Sequence, residues 1–248
     1  MRRFLITAAV LIVIVAAGVF GIDRAVAAYA EDQIRQQTVA EVSKQGMKSD
    51  DPRVDVGGFP FINQVIGGKY DKITIVLDNL AGQGITLPEL TLEATGVNAP
   101  LEALRSHQGS ITADKVTGHS VIPWASVVAA AKLPELQLSA NDDGTLKVSG
   151  TASFAGLSVP LTGAAQVTLA TPTSLRVRVT ELGGTDPNLN AAITALIDKF
   201  KERLVFTFQL PKLPYNLKLS KVQPTPAGLD ISGYADDVPL TKDGATAK

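Results

Sequence analysis

Residues 4–22, FLITAAVLIVIVAAGVFGI, form an apolar run without a single charge, directly behind Arg2 and Arg3. About 20 such residues at ~1.5 Å rise each span a hydrocarbon core of ~30 Å. Basic residues stay on the cytoplasmic side of a bilayer, so the two arginines orient the segment with the rest of the chain exported. The remainder must therefore fold outside the cytoplasmic membrane, either attached to it or released. A cleaved signal has a shorter apolar core of roughly 7–15 residues and a small-x-small site, which Ala25-Val26-Ala27 and Ala28-Tyr29-Ala30 both supply. The length of the run favours a retained anchor in the cytoplasmic membrane, with the chain exposed in the cell envelope.

The chain has no cysteine. It carries neither a disulfide nor a lipid-acylated cysteine, although an exported fold is free to oxidise thiols, and its stability rests on an ordinary core. A net charge of −1 leaves no electrostatic footprint for nucleic acid. With 21 glycines, 14 prolines and 5% aromatics, the composition suits many short strands joined by turns.

Residues 23–45 contain no Gly or Pro and continue the apolar run as a helix, ended by Gly46. Ala25, Tyr29, Ile34, Val39 and Val42 give this helix only a ragged apolar stripe, which leaves open whether it packs on the domain or serves as a stalk. From about residue 53 the period approaches two. Ile73, Ile75 and Leu77 fall on one face against Lys72, Thr74 and Asp78, and Leu90, Leu92 and Ala94 repeat the pattern. Such alternation marks half-buried antiparallel strands.

Leu87-Pro88-Glu89-Leu90-Thr91-Leu92 recurs as Leu133-Pro134-Glu135-Leu136-Gln137-Leu138, a hairpin echo too short for a repeat array. Both prolines point to strand starts or a sheet edge. Asn141-Asp142-Asp143-Gly144 reads as a hairpin turn, and Pro123 opens a short helix as its first residue. A clearer helix begins at Asp186-Pro187, with Leu189, Ile193, Leu196, Ile197, Phe200 and Leu204 at helical spacing. Strand patterns return at 204–209, 216–222 and 229–234.

Catalytic chemistry is sparsely represented. His107 and His119 are the only imidazoles, and neither lies in a metal-ligand spacing. Both are read as turn residues, and Asp142-Asp143 and Asp236-Asp237 as turn acids rather than a glycosidase pair. No catalytic residue, metal or cofactor is assigned. Lys199, Lys201, Arg203, Lys212, Lys218 and Lys221 form a basic cluster that either meets anionic head groups or is a solvated face balanced by Asp198 and Glu202.

The segment 57–70, GGFPFINQVIGGKY, stands apart. Pro60 fixes the backbone between two aromatic rings, and Phe59 with Phe61 is read either as a core plug or as the rim of an apolar cavity. Asp23-Arg24 after the anchor, Gly58-Phe59-Pro60-Phe61, the Gly68-Lys69-Tyr70 strand opening, and the closing Gly228-Leu229 and Val238-Pro239-Leu240 together resemble the actinobacterial cell-envelope family typified by the mycobacterial lipomannan elongation factor.

The resemblance implies an α+β fold of the tubular lipid-binding kind, a long curved antiparallel sheet wrapped around one or two helices and enclosing an apolar groove for acyl chains. It implies a phospholipid-binding envelope protein that assists lipid or lipoglycan handling without catalysis. The chain then divides into a signal anchor or signal peptide (1–23), a juxtamembrane helix (24–47), a lipid-binding-like β-rich domain (48–241) and a disordered tail (242–248). The sheet wall would comprise Ile73, Ile75, Leu77, Leu90 and Leu92. Ile193, Leu196 and Phe200 would form the helical wall, with Phe59 and Phe61 near one end. If the walls stay apart, a phospholipid or related lipid carrier fills the gap. If they close, the module is ligand-free and recruits an envelope glycosyltransferase or other biosynthetic partner. A glycan-active enzyme using two of the acids is the third reading.

Overall fold

The computed structural model describes residues 2–44, 46–82, 85–106, 109–131, 137–154, 157–184, 205–209 and 217–240, with side-chain surroundings in the first helix described from Ala17 onward. The expected helix over 189–204 and the tail over 242–248 lie outside the described residues, as do His107 and Pro134.

The apolar run and the segment after it form one helix, α1 (Arg2–Lys44). It ends where Gly46 takes a φ of 71° and donates its N–H to Ser43 O, while Met47 N–H bonds Val42 O. Among the described side chains, which begin at Ala17, no helix is long and apolar enough to cross a membrane. Most of the 4–22 run precedes them.

Beyond α1, eleven described strands divide between two antiparallel sheets. The first contains β1 (Arg53–Val56), β2 (Lys69–Gly82), β3 (Ile85–Asn98), β4 (Thr112–Ile122), β10 (Lys218–Thr225) and β11 (Gly228–Pro239). Their order is β1-β2-β3-β4-β11-β10. The second is a meander in sequence order: β5 (Gln137–Ala140), β6 (Leu146–Phe154), β7 (Leu157–Thr171), β8 (Ser174–Gly184) and β9 (Val205–Gln209). The α+β class stands. Two sheets are present where one long sheet was expected, because β11 returns to pair with β4 across the whole intervening meander. Short helices α2 (Phe61–Gly67), α3 (Leu101–Ser106) and α4 (Trp124–Ala131) connect strands of the first sheet or lead out of it.

Three local expectations change. His119 lies in mid-strand, opposite Thr91 and Ser232, rather than in a turn. Asp236 and Asp237 lie inside β11, where Asp237 adopts a φ of 51° at a skipped position in the ladder. Pro123 precedes α4, and its carbonyl accepts the N–H groups of Ser126 and Val127. The Asn141–Gly144 turn and the edge reading of Pro88 hold. Gly144 has a φ of 79°, and Pro88 lies where β3 pairs only with β2, at a position the ladder skips.

The ladder also skips one residue in each of four adjacent strands at Asp71, Gly96, Asp114 and Asp237. The skipped residues face one another and the register is the same on either side, so they form an interruption shared by four strands rather than a set of bulges. Beyond them the row Tyr70, Val97, Ala113 and Val238 is 7, 2, 2 and 1% exposed and joins Phe61 and Ala27 in the main core. At the opposite end of the sheet, Leu219, Leu229, Ile122 and Ile231 pack with Leu175, Val167 and Leu169 of the second sheet. There Leu219 N–H bonds Pro172 O at 2.7 Å.

Candidate functional site

Strand alternation puts one continuous apolar face on the first sheet. Register places Val56, Ile73, Ala94, Val116 and Ala235 in one row across five strands. The next row is Val54, Ile75, Leu92, Gly118, Gly233 and Leu219, followed by Leu77, Leu90, Ser120, Ile231 and Val222. A row containing two glycines is a depression in the face. Above Gly118 the space is shared by Leu92 Cδ2 and Leu217 Cδ1, 3.4 and 3.8 Å from where a Cβ would stand.

Helix α1 lies along this face at its β1–β2 side. Ala27, Ala30 and Ile34 pack into the core with Ile73 and Ala94, and Val42 packs on Leu77 and Leu80. The stripe that faces inward is thus Asp23, Ala27, Ala30, Ile34 and Val42. Tyr29 is 68% exposed and Val39 40%. Polar contacts fix the helix along β1: Glu31 Oε1 accepts the Val56 N–H at 3.0 Å, and Arg35 donates to both Asp51 oxygens at 2.7 and 2.8 Å.

The residues expected to line a groove separate into three groups. Leu77 is 4% exposed and belongs to packed core, as does Phe61 at 1%, its ring 5.8 Å from that of Tyr70. Ile73, Ile75, Leu90 and Leu92 are half-buried on the apolar face. Phe59 is 59% exposed, and its ring lies 5.6 Å from that of Phe20 in α1. The Phe-Pro-Phe segment is thus both plug and surface, one ring each. Ile193, Leu196 and Phe200 lie outside the described residues.

The opposite face of the same sheet is polar. It holds an open hollow of about 540 Å³ lined by the hydroxyls of Thr91, Thr117, Ser220 and Ser232, with Glu93, Lys115, His119 and Tyr234 around them. Lys115 Nζ is 5.3 Å from the centre of the Tyr234 ring, and His119 Nε2 is 3.3 Å from Asp230 Oδ1. A second hollow of about 440 Å³ lies on the second sheet beside Asn141, Lys147, Thr162 and Glu181. Among the described residues no cluster of His, Asp and Glu could hold a metal ion.

The first two parts of the sequence signature, Asp23-Arg24 and the Gly58–Phe61 segment, are one device. Asp23 has no solvent exposure, and its Oδ1 accepts the Ile62 N–H at 2.9 Å, capping α2 from another helix. Burial pushes this carboxyl up. The N–H groups of Ile62 and Phe61 and the Arg24 guanidinium outweigh that, holding it below its ordinary range. Arg24 Nη2 bonds both Asp23 Oδ2 at 2.9 Å and Gly58 O at 3.0 Å. Periodicity did not reveal this role for Asp23, although a lone acid directly after an apolar run was the available signal.

No curated protein and no solved structure matches this chain. A family model does match, over residues 21–234, which span the Asp23 clip, the Phe-Pro-Phe segment and most of both sheets. The chain belongs to the LmeA-like phospholipid-binding family.

Proposed function

We propose that this is a non-enzymatic, membrane-tethered envelope protein that binds phospholipid through the apolar interior shared by its two sheets and assists lipid or lipoglycan handling. One observation carries the reading. The apolar face of the first sheet continues through Ile231, Leu229 and Leu219 into Leu175, Val167 and Leu169 of the second, while Ile75, Leu90, Leu92 and Ile231 along it stay half-buried. Two apolar sheet faces joined in this way can take acyl chains without polar recognition, since each buried CH₂ contributes about 0.8 kcal/mol. Family membership supports phospholipid as the ligand class. The apolar run over 4–22 supports a tether on the outer side of the cytoplasmic membrane.

Native mass spectrometry of the full chain released from detergent micelles, with organic extraction in parallel, tests the proposal. A retained mass of one phospholipid per chain is expected. A bare chain mass that does not change after incubation with liposomes overturns it. That outcome favours a ligand-free module recruiting envelope biosynthetic enzymes, a reading supported by the closed row of Tyr70, Val97, Ala113 and Val238.

A further inference from the structure

Apolar side chains collect in the open at one end of the first sheet. Ile66 on α2 is 77% exposed, Phe59 59%, Phe20 on α1 53%, and Leu101 and Leu104 on α3 43% and 40%. They belong to one surface. The Phe20 and Phe59 rings are 5.6 Å apart, and the Ala99 N–H bonds Gly68 O at 2.8 Å, joining the end of α2 to the start of α3. Lone exposed apolar residues are ordinary, but a group from three helices at one end of a domain marks an interaction surface.

The course of α1 identifies the partner. Its Asp23 caps α2 at this end, and its Val42 packs on Leu77 and Leu80 far along the sheet, so residues before Asp23 leave the domain here. Apart from Arg2 and Arg3 those helical residues are the uncharged apolar run, and its 19 residues extend ~28 Å, close to the depth of a hydrocarbon core. A bilayer that receives the run meets the end of the domain from which the run emerges. We infer that Phe59, α2 and α3 form a platform that seats this end of the domain in the lipid interface, beside the anchor. Lys69 and Arg105, exposed next to α2 and in the last turn of α3, are placed to meet anionic head groups.

The inference rests on the tethered reading but not on lipid occupying the interior. The absence of native cysteine makes the test direct. Single-cysteine variants Val19→Cys, Ile66→Cys, Leu104→Cys and Asp142→Cys of the full chain carry an environment-sensitive fluorophore in phosphatidylethanolamine–phosphatidylglycerol vesicles, with and without brominated lipid. Labels at 66 and 104 are expected to emit blue-shifted and to be quenched at least twofold more than the label at 142, in the turn of the second sheet. Quenching at 19 alone, with 66 and 104 matching 142, overturns the platform and leaves the anchor. Labels at 66 and 104 that are shielded but not quenched, and that cross-link between chains, also overturn it and assign the surface to a second copy. A phospholipid adduct retained through either negative result shows that the lipid-binding reading survives independently.

Discussion

Asp23 Oδ1 accepts the backbone N–H of Ile62 at 2.9 Å, tying the end of the apolar run to a helix 39 residues later. This bond sets the direction in which α1 enters the domain. From it, α1 runs along the apolar face, and the half-buried Ile75, Leu90 and Leu92 beside it form the proposed lipid wall.

Asp23→Asn retains the shape and removes the charge. A lower thermal midpoint at neutral pH is expected, followed by circular dichroism in detergent. The folded carboxyl titrates below its ordinary value of 3.8, so its contribution is complete above that pH and is lost as pH falls through the folded value. The gap between wild type and variant should therefore close in acid. A gap that stays constant down to acid unfolding would assign the effect to packing.

Phe61 and Phe59 flank one proline and should behave oppositely. Phe61→Ala empties a site that is 1% exposed and is expected to cost about 3–5 kcal/mol. Phe59→Ala, at a position 59% exposed, should change stability by about 0.5 kcal/mol or less. Chemical denaturation of the two variants separates plug from surface, and equal losses would contradict the assignment.

Gly46 and Gly68 both hold positive φ, at 71° and 64°, in different surroundings. A Cβ on Gly46 meets nothing within 4 Å, so Gly46→Ala carries only backbone strain of about 1 kcal/mol. A Cβ on Gly68 would stand 2.9 Å from Pro100 Cα, which is backbone and cannot swing away. Gly68→Ala is expected to cost roughly 2–3 kcal/mol, and equal midpoints for the two variants would refute the close approach.

Ile75→Asp places a carboxylate in the middle of the apolar face. Phospholipid retained per chain in native mass spectrometry should fall at least ~10-fold, since an unpaired charge is not accommodated among acyl chains. Lys221→Ala, on the polar face of the same sheet, should leave retention unchanged. A folded Ile75→Asp variant with undiminished adduct would remove this face from the binding site.

Much of the local structure was legible. Period-two alternation marked Ile73, Ile75, Leu77, Leu90 and Leu92 as one face, and their register confirms it in pairs such as Ile75 with Leu92 and Leu77 with Leu90. The inner stripe of α1 was not legible. Asp23, Ala27 and Ala30 carry little hydrophobic signal, whereas Tyr29 and Val39 carry more and face outward. His119 and Asp237 misled for the same reason. Turn-forming residue types report local preference, whereas His119 is held in β4 by Thr91 and Ser232 and Asp237 is carried in β11 by the pairing of its neighbours Asp236 and Val238.

The amino-acid sequence by itself determined the apolar run, the long helix that continues it, the strands and their apolar faces, because each follows from the chemistry of neighbouring residues. Tertiary structure alone decided that β11 pairs with β4, that the strands divide into two sheets that meet where Leu219 and Leu229 pack on Leu175, and that Phe61 is core while Phe59 is surface. Those outcomes depend on which distant surfaces bury one another, and that free energy exists only once the chain has closed on itself.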